Sequence, residues 1–205
     1  TPPTYIYTIS YHDALPISYQ IDRDGAALLL PQRLGVVLAG GDTLGIGMRI
    51  MDTVTNSVDE TWTQPWGEVA EVRDHHNELT VMLQETGELA RRMDIVVRVF
   101  DNGVGLRYVW PEQPNLGAFE IMEELTGFHL VGNPQTWFIR AYEENRYEYL
   151  YEQMPLHRAG YLMHTPLTMA YGDVEGEGGG GPFVAIHEAA LVDYAAMSLR
   201  RTGPQ

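Results

Sequence analysis

The chain has 205 residues, 28 acidic and 13 basic side chains and a net charge of −15; such a surface repels phosphate backbones and anionic lipid, which excludes nucleic acid and a charged membrane face as partners. A hydrophobic share of 44% suffices for a core, yet no apolar run approaches the roughly 18 residues of a membrane-spanning helix. Cysteine is absent and every basic residue is arginine, which excludes disulfide scaffolds, zinc–thiolate sites, thiol nucleophiles and lysine Schiff bases.

From the N-terminus, Tyr11 to Ser18 reads like a translated sequencing adapter, departing from that pattern only at Tyr11. Residues 1–18 are therefore expected to be non-native, on a metagenomic fragment whose true N-terminus is unknown. Strands are expected at Ser18 to Ile21, Ala26 to Leu30 and Leu34 to Leu38. Leu79, Val81 and Leu83 then alternate with Thr80, Met82 and Gln84, a period of two. Ile95, Val97 and Val99 do the same, as do Leu106, Tyr108 and Trp110. Asp101-Asn102-Gly103 between these runs predicts a hairpin turn, because Asn and Gly tolerate positive φ.

Further strands are expected at Phe119 to Met122, Phe128 to Val131, Trp137 to Tyr142, Pro166 to Tyr171 and Phe183 to His187. Glu143 to Met154 is ambiguous: its length suits a helix, while Tyr147, Tyr149 and Tyr151 alternate like a strand. Gly172 to Gly181 lacks EF-hand spacing and predicts a flexible loop between two strands. Short strands at this spacing describe an all-β antiparallel sandwich.

Three segments are dense in chemistry. Asp59 to Glu68 contains Trp62, Pro65 and Trp66. Arg73 to Leu79 gathers Arg, Asp, two His, Asn and Glu. Flat aromatic faces stack on sugar rings and planar polar groups bond hydroxyl pairs, so the combination suits a carbohydrate surface. The same residues also suit core tryptophans beside a polar loop cap. The third segment is Tyr147 to Glu152. Its Glu148 is either a hydrogen-bonded strand residue or one ligand of a hard cation, and one carboxylate cannot complete a calcium site. His187-Glu188 opens a zincin-like pattern that fails at Leu191.

In this order, the segments resemble the N-terminal domain of glycoside hydrolase family 97. The family pattern Asp-Glu-Thr-Trp is matched by Asp59 to Trp62, and its Pro-x-Trp-Gly-Glu by Pro65 to Glu68 without the intervening residue. Arg73 to Leu79 matches a third motif, with His76 in place of Tyr. Arg107 to Pro111, Tyr147-Glu148-Tyr149 and His187 to Tyr194 match three more. The resemblance covers Leu34 to Leu199. Arg140 to Arg146 departs from the family's Pro-Ala-Asp-Tyr-Asp-Ser and is one residue longer.

The resemblance implies a β-super-sandwich of the galactose-mutarotase type spanning residues 19–205, C-terminally truncated and lacking the (β/α)8 barrel that carries the catalytic carboxylates. It implies an accessory domain of a calcium-dependent exo-acting α-glucosidase or α-galactosidase, secreted or periplasmic, whose partners are its own barrel and an α-linked oligosaccharide. On the same ground Glu148 is the N-domain calcium ligand. Trp62, Trp66, Arg73, His75 and Glu188 are candidates for the substrate side or the barrel interface. The fragment alone is expected to be inactive. The alternative is a stand-alone carbohydrate-binding or mutarotase-like sandwich, in which His75, His76, His164 or His187 would act with a carboxylate.

Overall fold

The computed structural model describes residues 5–10, 16–142, 146–172 and 180–203. The chain divides into two compact units, Thr1–Val131 and Gly132–Gln205. Among the described residues the structure consists of antiparallel strands and two single-turn 3-10 helices.

The first unit contains β1 (Tyr5–Ser10), β2 (Ser18–Arg23), β3 (Ala26–Arg33), β4 (Val36–Leu38), β5 (Thr43–Leu44), β6 (Met48–Thr63), β7 (Glu71–Glu85), β8 (Arg92–Phe100), β9 (Gly103–Val109), β10 (Ile121–Glu124) and β11 (His129–Leu130). They form sheets of order β1-β2-β3-β11, β10-β4-β5 and β6-β7-β8-β9. The predicted turn joins β8 to β9, with Phe100 opposite Gly103 and two residues between them. A second two-residue turn, Asp24-Gly25, joins β2 to β3 with both residues at positive φ, the conformation whose twist matches a hairpin.

The core follows from alternation. Val81 and Leu83 of β7 and Met93, Ile95 and Val97 of β8 are buried, and all lie on one face of their sheet. Ile17, Leu34, Val36, Leu44 and Met48 are buried in the same unit. Each such side chain contributes about 1.5–3 kcal/mol by leaving water. Gly35 and Gly45 let two backbones meet: a Cβ at Gly45 would lie 2.5 Å from the Leu34 carbonyl oxygen and 2.7 Å from Gly35 Cα.

A hydrogen-bond chain fixes this corner. The Gly35 N–H donates to the Tyr108 hydroxyl at 3.0 Å. The Thr126 hydroxyl donates to Glu124 Oε1 at 2.6 Å, so the 2.7 Å bond between Tyr108 and Thr126 uses the tyrosine's proton. Tyr108 therefore accepts from one segment and donates to another. Close by in sequence, the Tyr19 hydroxyl donates to the Gly127 carbonyl at 2.7 Å.

The second unit contains β12 (Gln135–Phe138), β13 (Glu152–Pro155), β14 (Leu162–His164), β15 (Leu167–Ala170), β16 (Phe183–Ile186) and β17 (Ser198–Arg200). They form sheets of order β13-β12-β15-β16 and β14-β17. Phe138, Met163, Leu167 and Met169 are buried here.

Several boundaries differ from the sequence reading. β6 has no counterpart in it, because beyond Met48 its side chains are exposed or nearly so and leave no apolar alternation to read. Its signal was propensity: Thr53, Val54, Thr55, Val58, Thr61 and Thr63 are β-branched. β10 starts at Ile121, two residues after the expected Phe119. β12 ends at Phe138, and Arg140 instead makes an isolated bridge to Met163. Of the ambiguous stretch, residues 143–145 lie outside the described residues; Arg146–Glu148 is a 3-10 turn, and a strand starts only at Glu152. The tyrosine alternation is thus not a strand face. Residues 173–179 of the expected loop and residues 11–15 of the adapter-like stretch also lie outside the described residues. The strands flanking the former, β15 and β16, pair directly with Ala170 opposite Phe183.

Tyr108→Phe keeps the ring and removes the hydroxyl, leaving the Gly35 N–H and the Thr126 oxygen without this partner. We expect a loss of about 1–3 kcal/mol in urea unfolding, with an unchanged slope.

Candidate functional site

β6 and β7 pair from Met48 opposite Glu85 to Thr63 opposite Glu71. β8 covers β7 only from Gln84 to His76. Residues 71–75 and their partners 59–63 therefore project past the third strand as a two-stranded ribbon. At its tip the Gln64 N–H donates to the Ala70 carbonyl at 3.1 Å, and Gln64 Nε2 donates to the Val69 carbonyl at 2.6 Å. Trp62 stands opposite Val72 and is 49% exposed; Trp66, on the tip, is 85% exposed. Neither tryptophan is a core residue, so the core alternative for these two is set aside.

Side chains on a strand alternate between faces, and directly opposed residues share one. Arg73, His75 and Asn77 of β7 thus lie on one face, and Asp74, His76 and Glu78 on the other. The sequence reading treats them as one polar cluster; the pleat splits them into two. On the first face Arg73 makes a bidentate pair with Asp59, Nε to Oδ1 and Nη2 to Oδ2, both at 2.7 Å. His75 stands opposite Asp59, with Nδ1 3.9 Å from Asp101 Oδ2. The hydrogen bonds from Arg73 hold the Asp59 carboxyl below its ordinary value. The pair is solvent-exposed, so it orients the two side chains more than it stabilises the fold.

The opposite face carries a buried histidine. His76 is 3% exposed; its Nδ1 is 2.5 Å from Asp74 Oδ1, and its ring lies 5.0 Å from that of Phe100. Nε2 has no hydrogen-bond partner among the described residues. Beside it Arg98 Nε donates to Glu78 Oε2 at 2.7 Å. His76 sits at the last residue of β7 that β8 covers, the root of the ribbon. Sequence alone marked the residue but not its burial.

In the second unit, Glu148 ends the 3-10 turn Arg146–Glu148 and is exposed. Tyr147, one residue before it, stacks on the buried His164 with ring centres 3.9 Å apart. The sequence reading names His164 only as an acid–base candidate of the mutarotase-like alternative; its burial and its contact with Tyr147 are not written in the local sequence. Glu188 is spoken for in part: its Oε1 accepts the Met197 N–H at 2.7 Å, closing the segment between them, while His187 Nδ1 lies 2.8 Å from the Glu188 carbonyl oxygen. No group of three or more acidic, His or Cys side chains that would hold a metal occurs among the described residues. Glu148 fits calcium as a single contributor: it is an exposed hard oxygen donor with no ion pair among the described residues, and the remaining oxygens must come from elsewhere.

The sheet content and the ordered motifs now have an external counterpart. The family model described as "Glycosyl-hydrolase 97 N-terminal" matches residues 5–205. The chain belongs to this family. A probable retaining alpha-galactosidase of Streptomyces bingchenggensis is 30% identical over 193 residues, covering 87% of this chain and 28% of that protein. A retaining alpha-galactosidase of Bacteroides thetaiotaomicron is 23% identical over 209 residues, 94% of this chain and 28% of that protein. Structures of a glycoside hydrolase family 97 enzyme from Pseudoalteromonas sp. strain K8, in complex with panose and with acarbose, superpose with a TM-score of 0.87 at 35% identity; each covers 98% of this chain and 29% of that chain. The family 97 domain seen here thus spans less than a third of the length of these relatives, and the β architecture expected from its motifs is the one observed.

Burial holds the His164 imidazole below its ordinary value of 6.5. In the unfolded chain it titrates at that ordinary value, so below about pH 6.5 the unfolded chain binds the extra proton first. Stability is therefore complete above that pH and falls as pH drops toward the folded-state value. We expect the His164→Phe variant, which has nothing to protonate there, to lose less stability than the parent between about pH 7.5 and pH 5.5 in urea unfolding.

Proposed function

We propose that this chain is the N-terminal accessory domain of a calcium-dependent exo-acting α-glycosidase, acting on α-glucosides or α-galactosides and working outside the cytoplasm. The observation that carries this reading is the family match over nearly the whole chain, joined to relatives more than three times its length. Related proteins named as α-galactosidases, and a family 97 structure holding panose or acarbose, support glycoside substrates. The catalytic carboxylates belong to the barrel in this reading. One acid would protonate the leaving oxygen and a second group would act as base or nucleophile.

The domain's own part is positional. Trp62 and Trp66 offer exposed aromatic faces at the end of the ribbon, suited to stacking on a sugar ring. Arg73, held by Asp59 in a fixed fork, and His75 beside it present planar donors suited to hydroxyl pairs. These four would complete one wall of the pocket, and the super-sandwich would bury apolar area against the barrel. Glu148 would give one carboxylate to calcium, whose bound charge supplies electrostatic stabilisation at the pocket. Glu188 would act through its loop, since one of its oxygens is already engaged by the Met197 N–H.

In the full-length protein, Glu148→Gln removes the charge and keeps the shape. We expect a calcium requirement raised at least tenfold and a lower turnover on p-nitrophenyl α-glycosides. An unchanged calcium dependence would defeat the assignment. The isolated chain should hydrolyse none of these substrates.

A further inference from the structure

Glu148 sits on an element that is poorly able to hold itself. The turn is three residues long, and a 3-10 turn has weak hydrogen-bond geometry and no cooperative length. Its C-terminal flank supplies little packing, with Leu150 and Tyr151 89% and 59% exposed. On the other side Tyr142, itself 74% exposed, brings its ring to 6.4 Å from that of His164. A carboxylate on such a turn would cost ordering entropy each time it met a cation.

The turn nevertheless carries a contact with a fixed frame. Tyr147, the residue before Glu148, lays its ring on His164 at 3.9 Å and an interplanar angle of 26°. His164 is 7% exposed and belongs to β14. Its backbone is tied twice: it pairs with Ser198 of β17, and its N–H donates to the Ile139 carbonyl at 2.9 Å. Its neighbour Met163 is buried and bridged to Arg140. Neither ring nitrogen of His164 has a hydrogen-bond partner among the described residues. The ring is thus placed by packing, and what it offers Tyr147 is a flat face rather than a polar contact.

We propose that His164 is a positioning residue for the cation site: its ring clamps Tyr147 and so pre-sets the turn that presents Glu148. The inference rests on the reading of Glu148 as a calcium ligand. It assigns to an interior histidine a role in cation affinity through stacking, and none through its nitrogens. Calcium then binds a turn already ordered, and loss of the clamp appears as weaker binding before any change in chemistry.

The test is calcium binding itself, measured by calorimetry on chelator-stripped full-length protein, alongside thermal unfolding of the calcium-free form. Tyr147→Ala removes the exposed half of the stack and leaves no interior cavity. We expect it and His164→Ala each to weaken calcium binding about tenfold, the low end for residues behind a metal ligand. His164→Phe retains the flat face and should bind within about twofold of the parent. If Glu148→Gln weakens binding while Tyr147→Ala does not, the clamp is wrong and the ligand assignment stands. Should Glu148→Gln bind calcium as tightly as the parent, the ligand reading itself falls. A His164→Phe variant that folds but binds as weakly as His164→Ala overturns the stacking role in favour of the ring nitrogens. Where His164→Ala fails to fold, Tyr147→Ala decides alone.

Discussion

Period-two alternation along β7 is the constraint from which the rest of the first unit follows. Val81 and Leu83 must face the covered side, and that fixes the side of every other residue from 71 to 85. The pairing with β8 over residues 76–84 locks this register. A slip of one residue would put Leu83 in water and Met82 in the core, so the strand has no nearby alternative. The same rule divides the polar motif at its other end. Arg73, His75 and Asn77 continue the core face out past the core, where it becomes solvent-exposed. Asp74 and His76 turn to the other face, where the histidine is buried against Phe100. One face thus changes from packing surface to presenting surface along a single strand.

The ribbon that results is held by its ladder rather than by a core. Among the described residues β6 pairs only with β7, and its other edge carries Asp52, Asp59 and Glu60, charges of the kind that discourage another strand from adding there. In a chain of net charge −15 such edges also repel one another between copies. Hydrogen bonding holds the two strands of the ribbon together without burying its tryptophans, so Trp62 and Trp66 stay exposed.

The second unit works differently. Its strands are three or four residues long, and the segments between them are pinned by individual side-chain contacts. Glu188 takes the Met197 N–H, Tyr147 lies on His164, and Arg140 makes a bidentate pair with Glu152. Short strands give little cooperative stability, so each of these contacts governs a larger share of local order than it would inside a long ladder. The placement of Tyr147, Glu188 and Arg140 therefore depends on single contacts.

Where apolar residues alternate, in β7, β8 and β9, burial on one face writes a period of two into the chain, and short apolar runs marked β2, β3, β4, β11, β15 and β16; the turn before Gly103 was legible too. β1 falls in the stretch expected to be non-native and was not foreseen. Neither were β6 and the short β5, β13, β14 and β17, since an exposed strand, or one of two to four residues without an apolar run, carries no such signal. Motif content sufficed for the family, because the order of Asp59 to Glu68, Arg73 to Leu79 and His187 to Tyr194 is a property of the chain alone. What only the tertiary structure decided is which of those motif residues stand together. The pleat separated Arg73 from Asp74, an unforeseen strand placed Asp59 under Arg73, and a histidine seventeen residues beyond Tyr147 came to lie on its ring. Local pattern records how each segment is buried; proximity between distant segments is set by strand register and packing, which no single stretch of sequence contains.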